Sequence, residues 1–402
     1  MIRMPMWLGV LFGIMLLVCP TTASATEPVK VDLFEAGRDG YAIFRIPGIV
    51  VTGKGTLLVY CEARKTRSDW AAIDPLYRRS TDAGKTWEPA RKLPIPAIAF
   101  EKNPAALARK AGKPGEITFN NIVMIADPPR NRVHCLYCVE YMRCFYSRSD
   151  DDGRSFTSPV EITSAFEPFR TRDQYDWKVL ATGPGHGIRL RSGRLIVPVW
   201  LSRGTEGNAH KPSCIATIFS DDAGITWSAG AIIANETEPL LNPSETVAVE
   251  LSDGRVMVNI RSQSKERRRA VALSPDGISR WSRPRFDPAL QEPICMASVC
   301  RLSAKADDPG TELIFSNPAN LKGRSNLTIR LSRDEGQTWP VSRTLEPGAS
   351  AYSDLAVGPD GTIYCFYERG EPDKPGNDPY QRLTLASIHP DWLKQSSPSG
   401  SD

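Results

Sequence analysis

The stretch Ser332-Arg333-Asp334-Glu335-Gly336-Gln337-Thr338-Trp339 decides the architecture, because its pattern, Ser-x-Asp-x-Gly-x-Thr-Trp, recurs along the chain. Residues 80–87, 149–156 and 220–227 repeat it, the second copy ending in Phe156 instead of Trp. Successive first serines lie 69, 71 and 112 residues apart, and the long third interval holds a fifth copy, residues 274–281, that keeps Ser274, Asp276 and Trp281 in place but has lost the glycine. Repeats of this length specify an array of like units, each too small to bury its own apolar face, so neighbours must stack to make a core. Within a box, Ser and Asp can hydrogen-bond backbone amides of a turn, Gly supplies a positive φ, and the aromatic ring anchors the turn in the adjoining sheet. The boxes therefore set architecture and leave the chemistry open.

Outward from the boxes, apolar runs broken by turn residues read as six hairpins, over residues 48–64, 122–141, 187–201, 246–261, 297–317 and 355–369. Most lead into a further strand that ends at a box, so each unit is a small antiparallel sheet. Long amphipathic helical periodicity is absent after the N-terminal segment. Six such units about an axis make an all-β, six-bladed β-propeller of four-stranded antiparallel sheets, which manages strand edges by radial repetition. The strand at 29–34 is expected to close the ring against residues 382–388, and these terminal strands argue against a linear solenoid.

Residues 1–25 read as a signal peptide, with Arg3, an apolar run over 6–18, and the small-x-small site Ala23-Ser24-Ala25. The run is shorter than the roughly 20 residues a membrane span requires, and Cys19-Pro20 lacks the small preceding residue that lipidation needs. The expectation is a secreted or periplasmic protein without a membrane anchor. Residues 26–393 form the propeller, with no lectin-like module beside it, and the Ser/Pro/Gly-rich 394–402 is a disordered tail. The mature span exceeds the roughly 250–300 residues at which one continuous core stops growing, a limit that repeats remove.

Lys and Arg number 50 against 46 Asp and Glu, so no polybasic face for nucleic acid or membrane is implied. A local arginine cluster can still hold a small anion. Eight of the nine cysteines lie beyond the signal peptide, an even number compatible with disulfides. Cys61, Cys135, Cys138, Cys300 and Cys365 sit in apolar strand-like runs, where a free thiol packs as a small hydrophobe, and this is the preferred reading. Cys135-x-x-Cys138 has no second pair or histidine cluster at zinc spacing, so neither a metal nor an organic cofactor is expected.

Three arginines occupy matching places beside the hairpins: Arg45 in Phe-Arg-Ile-Pro, Arg261 in Val-Asn-Ile-Arg, and Arg324 in Gly-Arg-Ser-Asn-Leu-Thr. Contributed by separate blades and converging on the axis, they form a fixed guanidinium clamp suited to a planar carboxylate. Together with Glu62-Ala63-Arg64, Asp69, the boxes, Glu245 and Ala351-Tyr352-Ser353-Asp354-Leu355, they resemble the sialidase (exo-α-neuraminidase) family from about residue 31 to 392. The resemblance implies the same six-bladed propeller. It implies that Arg45, Arg261 and Arg324 bind the sialic acid carboxylate and that Glu368 steadies Arg45. It also implies that Tyr352 is the nucleophile, Glu245 its base, Asp69 the acid/base, and Arg64 a contact near O4 of the sugar.

The residue types suit that chemistry. Sialic acid carries a carboxylate on its anomeric carbon, which repels a carboxylate nucleophile, whereas a phenol attacks as a nominally neutral group. A phenol of pKa about 10 is a weak nucleophile at neutral pH until a neighbouring base takes its proton. Glu250, five residues past Glu245, competes for the role of base, and its place inside an apolar strand favours Glu245. Asn120, Asn121, Tyr175, Asp176, Trp177 and His186 are further pocket candidates. Gly183-Pro-Gly-His-Gly187 lacks the helix a phosphate loop needs. Ala71 and Ala72 follow Trp70 where the family pattern favours glycine. The expected activity is release of terminal sialic acids from glycoproteins, glycolipids and oligosaccharides by a monomer. The alternatives are a hydrolase for another 2-keto-3-deoxy acid, such as a deaminated sialic acid, and a non-catalytic sugar- or protein-binding propeller.

Overall fold

A computed structural model of the chain describes residues 1, 27–205, 207–237, 239–302, 310–371 and 378–394. All of the expected signal peptide but Met1, part of the turn expected at 307–310, and the expected tail beyond Lys394 lie outside the described residues. Lys394 itself ends a short helix, Asp391–Lys394.

The strands form a propeller-like succession of antiparallel sheets. Ile43–Val51, Leu57–Arg64, Ile73–Ser80 and Arg91–Lys92 make the first, and Phe119–Asp127, Arg132–Val139, Arg143–Ser149 and Val160–Glu161 the second. Val179–Thr182, Leu195–Ser202, Ser213–Ser220 and Ser228–Ala234 follow, then Thr246–Glu250, Val256–Ile260, Arg268–Ser274 and Arg285–Gln291. Apart from the two-residue strands Gly185–His186 and Ile188–Arg189, which join the second and third sheets, the remaining strands belong to one seven-stranded sheet, because Val341–Val357, 17 residues long, pairs through its first half with Ser325–Ser332 and through its second with Ile363–Arg369. Among the described residues, pairing thus gives five sheets, where six separate ones were expected. The chain closes as anticipated: Val29–Glu35 pairs antiparallel with Arg382–Ile388, so the N-terminal strand completes the sheet built by the C-terminal ones.

Apolar side chains fill the spaces between successive sheets. Leu58, Tyr60, Ile122 and Met124 pack between the first and second, while Phe366, Leu383 and Leu385 meet Ile49 and Leu57 where the ring closes. These strands are buried on both faces, so they read as continuous apolar runs instead of alternating ones. The third hairpin departs from expectation. Its inner strand is Val179–Thr182, and the chain then breaks at Gly183-Pro184, where proline cannot donate to the ladder, before Gly185–His186 pairs in parallel with Phe119–Asp127.

The boxes act as inferred. In the first, Ser80 Oγ accepts the Gly84 N–H (2.9 Å), Asp82 accepts the N–H and hydroxyl of Thr86 (2.9 and 2.6 Å), and Trp87 Nε1 donates to the Gly84 carbonyl (3.0 Å). The fifth box has not lost its glycine but moved it. Gly277, at φ +74°, donates to Ser274 Oγ (2.9 Å), and Ser279 takes the threonine's place on Asp276, so the same turn closes one residue early.

Candidate active site

The three clamp arginines stand in or next to strands of three different sheets and reach one cavity of about 410 Å³. Arg45, on Ile43–Val51, donates to Glu368 through Nε (2.9 Å) and Nη2 (3.3 Å). A register shift follows Arg45, and Ile46 takes a positive φ of 60°, which turns its N–H onto Glu368 Oε1 (3.0 Å). The Tyr352 N–H donates to the other oxygen (3.0 Å). One fully buried carboxylate therefore fixes both Arg45 and the backbone that carries Tyr352. Arg324 donates to Tyr380 Oη (2.8 Å) and to the Ile294 carbonyl (3.1 Å).

Arg261 follows strand Val256–Ile260 and donates through Nη1 to Tyr352 Oη (2.7 Å) and, in a very short contact, to Glu245 Oε2. The Arg45 and Arg324 guanidinium carbons lie 4.9 and 5.2 Å from the Tyr352 ring centroid, so three cations surround one phenol. Behind Arg261, Arg269 and Glu292 form a buried pair (3.2 Å). Glu292 accepts the N–H groups of Ser262 and Cys295, and Arg269 donates to the Cys295 carbonyl (2.9 Å). This pair ties the strand end bearing Arg261 to the loop whose Ile294 carbonyl meets Arg324. Its trace in the sequence is Arg269 at the start of the apolar run 270–273, a charge that demands a partner if the strand is buried.

Tyr352 is nearly fully buried, and its hydroxyl donates to Glu245 Oε1 at 2.5 Å. Burial pushes the phenol well above its ordinary value; Arg261 opposes the shift and the Glu245 charge reinforces it. The phenol is therefore protonated at neutral pH, with its acceptor in place.

Asp69 lies in the loop after Leu57–Arg64. Arg64 Nη1 donates to its Oδ1 at 2.5 Å, and Arg45 Nη1 is 4.0 Å from the same oxygen. Burial works against ionisation, but Arg64 and then Arg45 outweigh it and hold the carboxyl well below the usual range. The Asp69 side chain is 47% exposed while that of Arg64 is 1% exposed, so the carboxylate faces the opening and the guanidinium backs it. Arg64 is anchored in turn by Glu62 (3.0 and 2.6 Å), which also accepts the Asn121 N–H (2.8 Å). The loop needs no glycine at Ala71 and Ala72, neither of which takes a positive φ, and their carbonyls accept from Thr118 Oγ1 (2.8 Å) and the Lys65 N–H (3.0 Å). Trp70 packs on Tyr141 and His210, with ring centroids 4.6 and 5.4 Å away.

Seven of the eight singled-out residues, Arg45, Arg64, Asp69, Glu245, Arg261, Arg324 and Tyr352, line the cavity, and Glu368 lies directly behind Arg45. Glu250 does not approach it and pairs instead with Arg191. Of the further pocket candidates only Asn121 reaches the wall. Tyr175 and Trp177 are core residues between the second and third sheets, Asp176 is an exposed partner of Lys178, and Asn120 is buried. His186 bonds Asp354 (2.7 Å) away from the cavity lining. Loop composition does not reveal which end of the axis a loop occupies. For the same reason the sequence does not mark Tyr141, Trp200, His210 and Tyr380, which also line the wall. His210 is held below its ordinary pKa by burial, against the charges of Asp69 and Glu245. Among the described residues, no group of three or more His, Cys, Asp or Glu side chains gathers as a metal cage.

Residues 103–365 match the BNR repeat-like domain family, a span that leaves the first box outside. The chain is 32% identical to the sialidase of Micromonospora viridifaciens over 84% of its own length and 52% of that protein's. It is 30% identical to sialidase-2 of Mus musculus, over 86% of this chain and 94% of the relative. Among solved structures, Hadza microbial sialidase Hz136 superposes with a TM-score of 0.71 at 27% identity, covering 89% of this chain and 68% of the other. The chain thus spans about half the length of its Micromonospora relative but nearly all of the murine one. The repeats, the sheet succession and these likenesses converge: the chain belongs to the sialidase family.

Proposed function

We propose that this chain is a retaining exo-α-sialidase that releases terminal sialic acids from glycoproteins, glycolipids and oligosaccharides through a covalent tyrosyl intermediate. The observation that carries the reading is the 2.5 Å hydrogen bond from Tyr352 to Glu245 inside a ring of three arginines. The arginines take the substrate carboxylate and so orient the anomeric carbon toward Tyr352 Oη. Glu245 accepts the phenolic proton as the C–O bond forms, and Arg261 steadies the charge on both oxygens. Sialidases with a tyrosine nucleophile are a recognised exception to the two-carboxylate scheme of glycosidases.

Asp69 is held ionised by Arg64 and Arg45 in the free protein, yet leaving-group departure needs it protonated. Two consequences of binding reverse its preference. The substrate carboxylate opposes the field of Arg45, and the aglycone covers the exposed half of the Asp69 side chain; each favours the neutral acid. After the aglycone leaves, the ionised form activates water to attack the glycosyl–tyrosine bond. The proposed protein works as a monomer, is exported by residues 1–25 and uses only its own side chains.

The test is release of 4-methylumbelliferone from its N-acetylneuraminic acid glycoside and from the deaminated analogue, with wild type beside Asp69→Ala and Tyr352→Phe. Turnover of the first substrate that is lost in Tyr352→Phe, with the α-anomer as first product, supports the proposal. Turnover of the analogue alone moves the substrate to the deaminated acid, and turnover of neither overturns the enzymatic reading.

A further inference from the structure

Cys138 and Cys144 are direct partners across the hairpin of Arg132–Val139 and Arg143–Ser149. The main chain of Cys144 bonds away from Cys138: its N–H donates to Thr163 Oγ1 (3.0 Å) and its carbonyl accepts the Ile162 N–H (2.9 Å). The two cysteines are therefore a non-hydrogen-bonded pair, the arrangement in which opposite Cα atoms stand about 4.5 Å apart and side chains come closest. That separation falls within the roughly 4.4–6.8 Å that a disulfide spans. Both side chains enter the same core cluster between the second and third sheets, fully buried, whereas Cys135 points to the opposite face. The C-x-x-C spacing thus pairs the wrong residues, because positions three apart on a strand face opposite ways.

The turn between the partners carries an active-site residue. Glu140 and Tyr141 both adopt positive φ, 57° and 50°, a conformation L-residues rarely hold unaided. Tyr141 lines the cavity and packs on Trp70, the neighbour of Asp69. Glu140 is buried and accepts the Thr118 N–H (2.7 Å) and Lys102 Nζ (3.1 Å). Any loosening of the hairpin would release Tyr141 from the wall beside Asp69.

We propose that Cys138 and Cys144 form a cross-strand disulfide that braces this hairpin and fixes Tyr141 in the active-site wall. Both are thiols in this structure. The oxidant is a donor disulfide, of a small thiol or an oxidoreductase. One cysteine thiolate attacks the donor, forming a mixed disulfide and releasing one donor thiol. The facing cysteine loses its proton and displaces the second donor thiol, so two protein thiols are oxidised and one donor disulfide is reduced to two thiols. In the folded chain burial raises the Cys144 thiol well above its ordinary value and shuts out the donor, which places the exchange during folding, before the third sheet covers the pair.

The experiment folds the full chain in a mixture of oxidised and reduced glutathione, alkylates free thiols in denaturant without reductant, and digests with trypsin. Cleavage at Arg132, Arg143 and Arg148 separates peptide 133–143, with Cys135 and Cys138, from peptide 144–148, with Cys144. The expected result is one disulfide-linked species of these two peptides that persists in Cys135→Ala and vanishes in Cys138→Ala. Reduction should lower Tm by about 3 °C, the loop-closure entropy of a roughly seven-residue loop spread over the unfolding entropy of a chain this long. Recovery of the two peptides singly, alkylated at all three cysteines, overturns the proposal, as does a link that survives Cys138→Ala. A Tm unmoved by reduction overturns the bracing role.

Discussion

Glu245→Gln isolates the step on which the proposed mechanism depends. The amide oxygen of the variant can still accept the Tyr352 hydroxyl, now made at 2.5 Å, so the phenol keeps its orientation while losing its proton acceptor. A phenol of pKa about 10 is ionised to about one part in a thousand at pH 7, and burial of Tyr352 makes that fraction smaller. General-base assistance is commonly worth about 10²–10⁴ in rate. A competing effect sets the lower end of that range. Removing the Glu245 charge leaves Arg261 unneutralised beside the phenol oxygen, and a unit charge at about 4 Å in a partly screened site is worth about 4 kcal/mol toward phenolate. The expected kcat at pH 6 is therefore about 10²–10³ below wild type, with much of the deficit recovered toward pH 9 as the phenol ionises without help. The assay is steady-state hydrolysis of the 4-methylumbelliferyl sialoside across pH 5–9, with thermal melting to establish that the variant is folded. A folded variant within tenfold of wild type at pH 6, or a deficit that does not change with pH, would refute Glu245 as the base for Tyr352.

Asp69→Ala should lower kcat/KM for a sialyllactose by about 10²–10⁴ and far less for the umbelliferyl glycoside, whose aglycone leaves without a proton; equal losses would exclude Asp69 as the acid. Because Arg64 and Arg45 hold the Asp69 carboxyl below the usual range in the free protein, kcat/KM for sialyllactose should already be falling as pH rises through 5. Arg64→Met raises that pKa and moves the falling limb to higher pH, which a pH–rate profile reads directly. At the far end of the sheets, a Cβ on Gly277 would lie 2.2 Å from Ile196 Cδ1 at a φ of +74°. Gly277→Ala should destabilise the fold by about 1–3 kcal/mol in urea titrations while leaving kcat unchanged, and an unshifted midpoint would show that the displaced glycine is dispensable.

Much of the site was legible because its residues are tied to short local patterns. Arg45 and Arg261 stand beside hairpins, and Tyr352 is marked by the Ala351-Tyr352-Ser353-Asp354-Leu355 pattern that carries the family resemblance. Glu245 was separable from Glu250 because it precedes the apolar run of Thr246–Glu250, whereas Glu250 belongs to that run. What stayed hidden were residues whose role depends on two distant segments meeting. Arg269 and Glu292 become a strut only when a strand folds against a loop 23 residues on. Tyr141, Trp200 and His210 become a wall only when two turns and the strand Leu195–Ser202 converge. Tyr175 and Trp177 were misplaced because an aromatic-rich loop reads alike whether it covers the core or opens on the axis.

By itself the sequence determined the repeat, the all-β class and the closure of the first strand on the last, because these rest on apolar runs and on turn chemistry set within a few residues, and its family resemblance named the charged groups. Only the tertiary structure decided that Val341–Val357 serves two ladders, that Asp69 is held ionised by Arg64 and Arg45, and that Cys138 faces Cys144 instead of Cys135. Pairing register, electrostatic field and cross-strand distance belong to groups far apart in the chain, and they take their values only once the sheets have packed around the axis.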